Sequence, residues 1–204
     1  AKWELGKKSY RVNHYIQEVR LGENYELAES ENFIGTAGEM VAPEVKTYEG
    51  FTSPEKQYYE LQVSDDMEVF NYYYQRNSYN VTIDRNDGSE NITLEPVYEA
   101  KIEYRPEKMG YQFAGWYLDK ELKQEFDGTV PAKDLTLYAK WEAQDVSYSV
   151  RHYLQNANDD GYTSVGTESF TAKTDSSVTP EVKTYAGFTS PETQTATVTA
   201  DGTL

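Results

Sequence analysis

The side chains in this sequence with the reach to do chemistry are two histidines, a large excess of acids and several tyrosine runs. His14 and His152 are the only histidines, and both sit in the same motif, Ser-Tyr-x-Val-x-His-Tyr-x-Gln. A Ser/His/Asp catalytic arrangement needs one histidine placed beside one nucleophile, and a histidine that recurs in register is distributed wrongly for that. In phase with Val12 and Val150 on a strand, each is expected to be a structural residue with its tautomer fixed by a neighbour. With 35 acids in 204 residues, the closeness of two carboxylates says little about acid–base catalysis. No catalytic residue, cofactor site or metal site is assigned, and the chain is not expected to be an enzyme. Two loops have calcium-like oxygen spacing, one from Asp84 to Glu95 and one from Asn156 to Gly161. The first has Ser89 where the tight-turn glycine belongs, the second Thr167 where a bidentate Glu belongs, so both are expected to be Asx-rich hairpin turns. The runs Tyr58-Tyr59 and Tyr72-Tyr73-Tyr74 are more suggestive, because aromatic rings stack on sugar faces. Alternation along a strand turns at most half of each run inward. That leaves Tyr58 and Tyr73 as the candidate exposed, ligand-binding rings.

Bulk properties narrow the partners. The formal net charge is −16, and the excess acid is spread along the whole chain rather than held in a tail. Nucleic acid and anionic lipid both require a basic patch, so neither is an expected partner. Distributed like charge favours a soluble, extended row of modules. The absence of Cys removes disulfides and thiolate metal sites, and no run of eighteen apolar residues forms a membrane span. Nothing at Ala1 reads as a basic-then-apolar leader, so any export signal is expected outside this stretch. With 19 Tyr and 7 Phe but few long aliphatic residues, the core must be built from aromatic and β-branched side chains, which favour strands.

The elements that would position these residues emerge from internal repetition. Ala1-Lys2-Trp3 recurs as Ala139-Lys140-Trp141, and the histidine motif recurs at the same offset. After a one-residue deletion, residues 43–55 match 180–192 at all positions but Glu49 versus Ala186. The chain is thus read as residues 1–6, the tail of a preceding repeat; 7–76, a first outer module; 77–142, a different middle module; and 143–204, a second outer module. Met67 aligns with Leu204, so the second copy is expected to lack the last strand that residues 68–76 supply in the first.

Period-two alternation of Tyr10, Val12, His14 and Ile16 against Arg11, Asn13, Tyr15 and Gln17 predicts a strand. Its hairpin partner is predicted over 25–33 and 162–170, with loops at Gly22 to Asn24 and Asp159 to Gly161. Pro43 at a first helical position and Gly50 at a C′ position predict one short helix in each copy. Residues 57–63 are read as a strand with Tyr59, Leu61 and Val63 on one face, because the aligned 194–200 segment has strand character. The expected fold class is therefore α+β and β-rich: tandem small β-grasp-like modules, each a mostly antiparallel sheet with one short helix or turn. In the middle module Trp116 and Trp141 are expected to form the core with Tyr111 and Phe113.

Two motifs in the middle module, Gly110-Tyr111-x-Phe113-x-Gly115-Trp116-Tyr117 and Leu135-Thr136-Leu137-Tyr138-Ala139-Lys140-Trp141, resemble the Listeria–Bacteroides repeat, also called the internalin B-repeat. The outer modules, with Val12-x-x-Tyr15, Gly35, Gly38 and Gly50-Phe51, resemble MucBP-type (mucin-binding-protein) repeats, although Ala172 and Asp175 replace the first two glycines in the second copy. These resemblances imply an extracellular, cell-wall-associated bacterial surface protein in which this segment is an adhesin stalk or spacer. They imply equally, as the alternative, a module that binds a host glycan, mucin or glycoprotein, with neighbouring repeats as further partners.

Overall fold

A computed structural model describes residues 1–20 and 24–203. The chain forms two compact units, one of Ala1–Asp84, Asn91–Glu103 and Phe126–Leu137, the other of Arg85–Glu90, Tyr104–Glu125 and Tyr138–Leu204. The predicted loop residues Gly22 and Glu23 lie outside the described residues.

In the first unit, β1 (Lys7–Gln17) and β2 (Tyr25–Thr36) form the predicted hairpin, with a bulge between His14 and Tyr15. Short strands follow: β3 (Met40–Val41), β4 (Phe51–Thr52) and β5 (Tyr59–Glu60), then the long β6 (Glu68–Arg76). The main sheet runs β2-β1-β6-β4, while β3 and β5 pair separately. β6 lies parallel to β1, with Val12 opposite Phe70, His14 opposite Tyr72 and Ile16 opposite Tyr74. Its alternation is complete: Phe70, Tyr72 and Tyr74 are buried, and Val69 and Tyr73 face outward. The three inward rings fill a core with Tyr10, Val12, Val41 and Leu61, each fully buried side chain contributing about 1.5–3 kcal/mol.

Two sequence expectations are corrected here. No helix occurs among the described residues, so the fold is all-β rather than α+β. Residues 43–50 cross the core face as an extended segment whose backbone bonds go to side chains: Tyr72 Oη donates to Pro43 O at 3.1 Å and the Lys46 amide donates to Tyr74 Oη at 2.9 Å. Ser53 Oγ donates to Lys46 O at 2.8 Å. One helical turn carries an unfavourable nucleation cost, and Val45 and Thr47 are weak helix formers; two buried tyrosine hydroxyls supply better partners. Pro43 therefore starts no helix, although Gly50 does end the segment in a turn at φ 78°. The strand predicted over 57–63 shrinks to β5. Leu61 is fully buried, but the chain turns at Ser64, whose amide bonds Gln62 O, and leaves Val63 76% exposed.

The middle segment contributes β7 (Val81–Asp84), β8 (Ile92–Leu94), β9 (Tyr111–Tyr117) and β10 (Leu135–Ala143), ordered β8-β7-β10-β9. The division between units passes along β10. Val81, Ile83, Val130 and Leu137 are fully buried in the first unit. In the second, Trp116 is buried, its ring 5.0 Å from Phe113, which lies 5.7 Å from the half-buried Trp141. Both indole N–H groups are satisfied, Trp116 by Tyr104 O and Trp141 by Arg85 O. Tyr111 departs from the expected core set: its hydroxyl bonds Asp175 and Lys108 Nζ lies over its ring.

The second repeat rebuilds the hairpin as β11 (Asp145–Gln155) and β12 (Tyr162–Lys173), with the same bulge after the histidine, between His152 and Tyr153. β13 (Ser177–Val178) and β14 (Ala196–Thr197) repeat the β3–β5 pair, although a longer strand is predicted over 194–200. The chain turns back there because Asp201 accepts from the Thr203 amide at 3.0 Å while the Thr199 amide bonds Thr203 O.

Both junctions with the middle segment are locked. Arg76 ion-pairs with Glu99 at 2.6 Å, donates to Tyr98 O at 3.1 Å and lies 4.7 Å from the Phe51 ring centroid. Tyr98 presses so closely on Gly50 that an added Cβ would clash with its ring, and the positive φ independently selects glycine. At the other junction the Gln144 amide bonds Gly110 O at 2.8 Å. A Cβ on Gly110, at φ 75°, would lie 2.8 Å from Ala200 Cα.

Candidate functional site

The two faces of β1 and β6 separate structure from display. On the inner face His14 is fully buried, with Nδ1 2.8 Å from Tyr74 Oη. Burial, reinforced by Lys46, pushes its pKa below the ordinary histidine range, against the upward pull of Glu31 and Glu29. Lys46 sits between Glu29 at 2.6 Å and Glu31 at 2.8 Å. This pairing holds Lys46 protonated well above its usual range, outweighing its desolvation, and draws Glu29 down. The cluster ties the 43–50 segment to β2. His14 is thus a buried structural group whose ring is fixed by Tyr74. His152, its counterpart, is only partly buried, with Nε2 3.0 Å from Glu168, which also pairs with Lys183 at 2.6 Å.

On the outer face, rings and amides line up across three strands. Tyr73, 48% exposed, stacks on Tyr15 with centroids 5.2 Å apart and planes 18° off parallel, and Tyr25 meets it edge-on at 5.0 Å. Beside the rings Asn13 Nδ2 donates to Asn71 Oδ1 at 3.0 Å and Ser30 Oγ donates to Asn13 Oδ1 at 2.7 Å. Arg11 Nε bonds Asn32 Oδ1 at 3.1 Å one step further along. An aromatic platform flanked by paired amides has the ingredients of a sugar-binding surface: ring faces for C–H groups, and donors and acceptors for hydroxyls. Tyr58 is 67% exposed, but it flanks β5, and its ring takes no part in this cluster. Tyr15 and Tyr25 are the members that sequence reading missed. Alternation does place Tyr15 with the outward set, but the parallel pairing that sets Tyr73 beside it joins residues nearly sixty positions apart.

The calcium-like loops are closed by their own side chains. Asp159 Oδ1 accepts from Asn156 Nδ2 and the Gly161 amide, both at 2.7 Å, and Asp87 accepts from the Ser89 amide at 2.9 Å. These bonds hold both carboxyl pKa values below the usual carboxylate range, led in each by a side-chain hydrogen bond, from Asn156 and Ser89 respectively. Among the described residues no group of three or more His, Asp or Glu is placed to hold a metal ion. No helix among them is long and apolar enough to cross a membrane.

Comparison with known proteins identifies the middle segment. Residues 79–140 match the Listeria-Bacteroides repeat domain, so this part of the chain is a repeat of that family. A protein of Evansella cellulosilytica described provisionally as a Gly-rich membrane protein is 31% identical over 154 residues, 70% of this chain but 17% of its own length. A second protein of that organism, described provisionally as a membrane protein, is 36% identical over 77 residues, 36% of this chain and 12% of its own. The chain thus spans less than a fifth of either relative.

Proposed function

We propose that this chain is a spacer segment of an adhesin on the outer side of a bacterial cell, its outer repeats of the mucin-binding-protein type. The observation that carries the reading is the locking of both junctions: Arg76 with Phe51, Tyr98 and Glu99 on one side, Gly110 with Ala200 and Gln144 on the other. A spacer must transmit position along the chain, and close-packed, side-chain-bonded junctions resist hinge motion where Gly/Ser linkers would not. Distributed acidity keeps such a segment soluble, and the partial coverage of two longer relatives described as membrane proteins fits a segment of a large surface protein. Antibodies raised against the chain are expected to label intact cells of the organism that carries it. Labelling only after permeabilisation would refute the external location.

A second reading rests on the Tyr15, Tyr73 and Tyr25 platform, which fits a host glycan or the glycan of a mucin-like glycoprotein. Aromatic cover of a sheet face explains the same rings without a ligand, and the spacer reading needs no more than that.

A further inference from the structure

The 35 acids of this chain are divided unequally between the two faces of the first repeat's main sheet. β2 alone carries Glu26, Glu29 and Glu31, and the register sets all three opposite the inward residues Ile16, His14 and Val12. Glu68 of β6 stands opposite the inward Tyr10. Every second residue of β1 from Lys7 to Gln17 faces outward, as does every second residue of β6 from Val69 to Gln75, with the β2 residues opposite the outward set of β1. None of these outward residues is Asp or Glu, and Lys7 and Arg11 make the face positive in a chain of net charge −16.

The second repeat shows the same partition. The outward residues of β11 and β12 include Arg151, Tyr153 and Tyr162 at the places of Arg11, Tyr15 and Tyr25. Asp145 is the acid among them, and it lies 4.0 Å from Lys173. Glu168 stands opposite Val150, the counterpart of the inward Val12.

A face that met only water, in a chain this acidic, would be expected to carry carboxylates. This one instead has the composition of an interface core, with Tyr and Arg present and acids depleted. Leu27, Ile34, Val69 and Tyr73 are all exposed on it. Copies of so acidic a chain repel one another over most of their surface, and here that repulsion is least. The face is also self-complementary. Arg11 and Tyr15 lie two residues either side of Asn13, which bonds Asn71 and Ser30 in a polar row across the sheet. A two-fold axis along that row, between stacked sheets, brings Arg11 of each copy to the Tyr15 and Tyr73 rings of the other. A planar guanidinium packs well on such rings.

We propose that the outward face of β2-β1-β6 is a lateral docking surface for a second copy of this chain, stacked face to face with antiparallel strands about the Asn13 row. At about 3.3 Å per residue and about 4.8 Å between strands, the 11 residues of β1 and its two neighbours present roughly 500 Å2 per copy. A dimer burying roughly 1,000 Å2 in all is at the lower limit for a specific interface. Its Kd is therefore expected between about 10 μM and about 1 mM. The inference rests on how charge is divided across the sheet and not on cellular location, so its failure would leave the spacer reading standing.

The test is sedimentation equilibrium of the whole chain, at concentrations up to about 1 mM, in low and high salt. A dimer should form as concentration rises and should tighten as salt screens the remaining repulsion between copies. Val69→Glu, which puts one acid per copy into the contact, should weaken it at least about 10-fold. Val63→Glu, at an exposed position outside this sheet, should leave it unchanged. Where Val69→Glu lowers the melting temperature, Ser30→Glu on β2 gives the same reading. A chain that stays monomeric throughout, or a dimer that both glutamates on the face leave intact, would overturn the proposal. So would a dimer that salt dissociates, since the contact would then join opposite charges.

Discussion

Tyr72→Ala should destabilise the first repeat by about 3–5 kcal/mol, the range for removing a large ring from a packed core. Tyr72 is fully buried at the centre of the β6 face. Its ring lies 5.7 Å from His14, and its hydroxyl donates to Pro43 O while accepting from the Gln57 amide. Truncation opens a cavity and also strips a partner from a buried carbonyl, which alone costs about 1–3 kcal/mol. Tyr72→Phe keeps the packing but strips the same partner, and should cost about 1–3 kcal/mol. Tyr73→Ala, on the outer face of the same strand, should cost far less than Tyr72→Ala. Denaturant unfolding followed by amide exchange in β1 measures all three. A Tyr72→Ala chain within about 1 kcal/mol of the parent would show that β6 does not carry this core.

Trp116→Ala is the second large effect, again about 3–5 kcal/mol. Trp116 is buried among Phe113 and Tyr104, and its indole N–H is spent on Tyr104 O at 3.1 Å. Few aliphatic side chains are available to close over the gap, so the site is expected to collapse poorly. Trp141→Ala should cost less, because that ring is half-buried and its N–H anchors Arg85 O rather than a packed interior. Exchange of β9 amides reports the loss directly. Equal melting of the Trp116→Ala chain and its parent would place the ring at the surface.

Much of this could be read from the residues because the second copy acts as a control on the first. The hairpin strands and the inward set of Tyr10, Val12, His14 and Ile16 follow from alternation and repetition, and the middle repeat's tryptophan motif from its resemblance to a known family. The helix at Pro43 failed for a reason no local rule contains. Its amides and carbonyls are taken by Tyr72 and Tyr74 hydroxyls, which arrive from a strand nearly thirty residues later. The same long-range event, parallel pairing of β1 with β6, brings Tyr73 onto Tyr15. Sequence alternation therefore gives the exposure of Tyr73 and Tyr58 but not their neighbours, and Tyr58 stands apart from the cluster.

As a proposed spacer, the segment is expected to hold position without binding a glycan. A glycan array probed with the whole chain tests this most directly, because the Tyr15–Tyr73–Tyr25 platform is the surface most suited to sugar. No reproducible hits are expected, and no difference between the parent chain and Tyr73→Ala. Reproducible binding that Tyr73→Ala abolishes, in a variant whose melting is unchanged, would contradict it and make the platform a glycan-binding site.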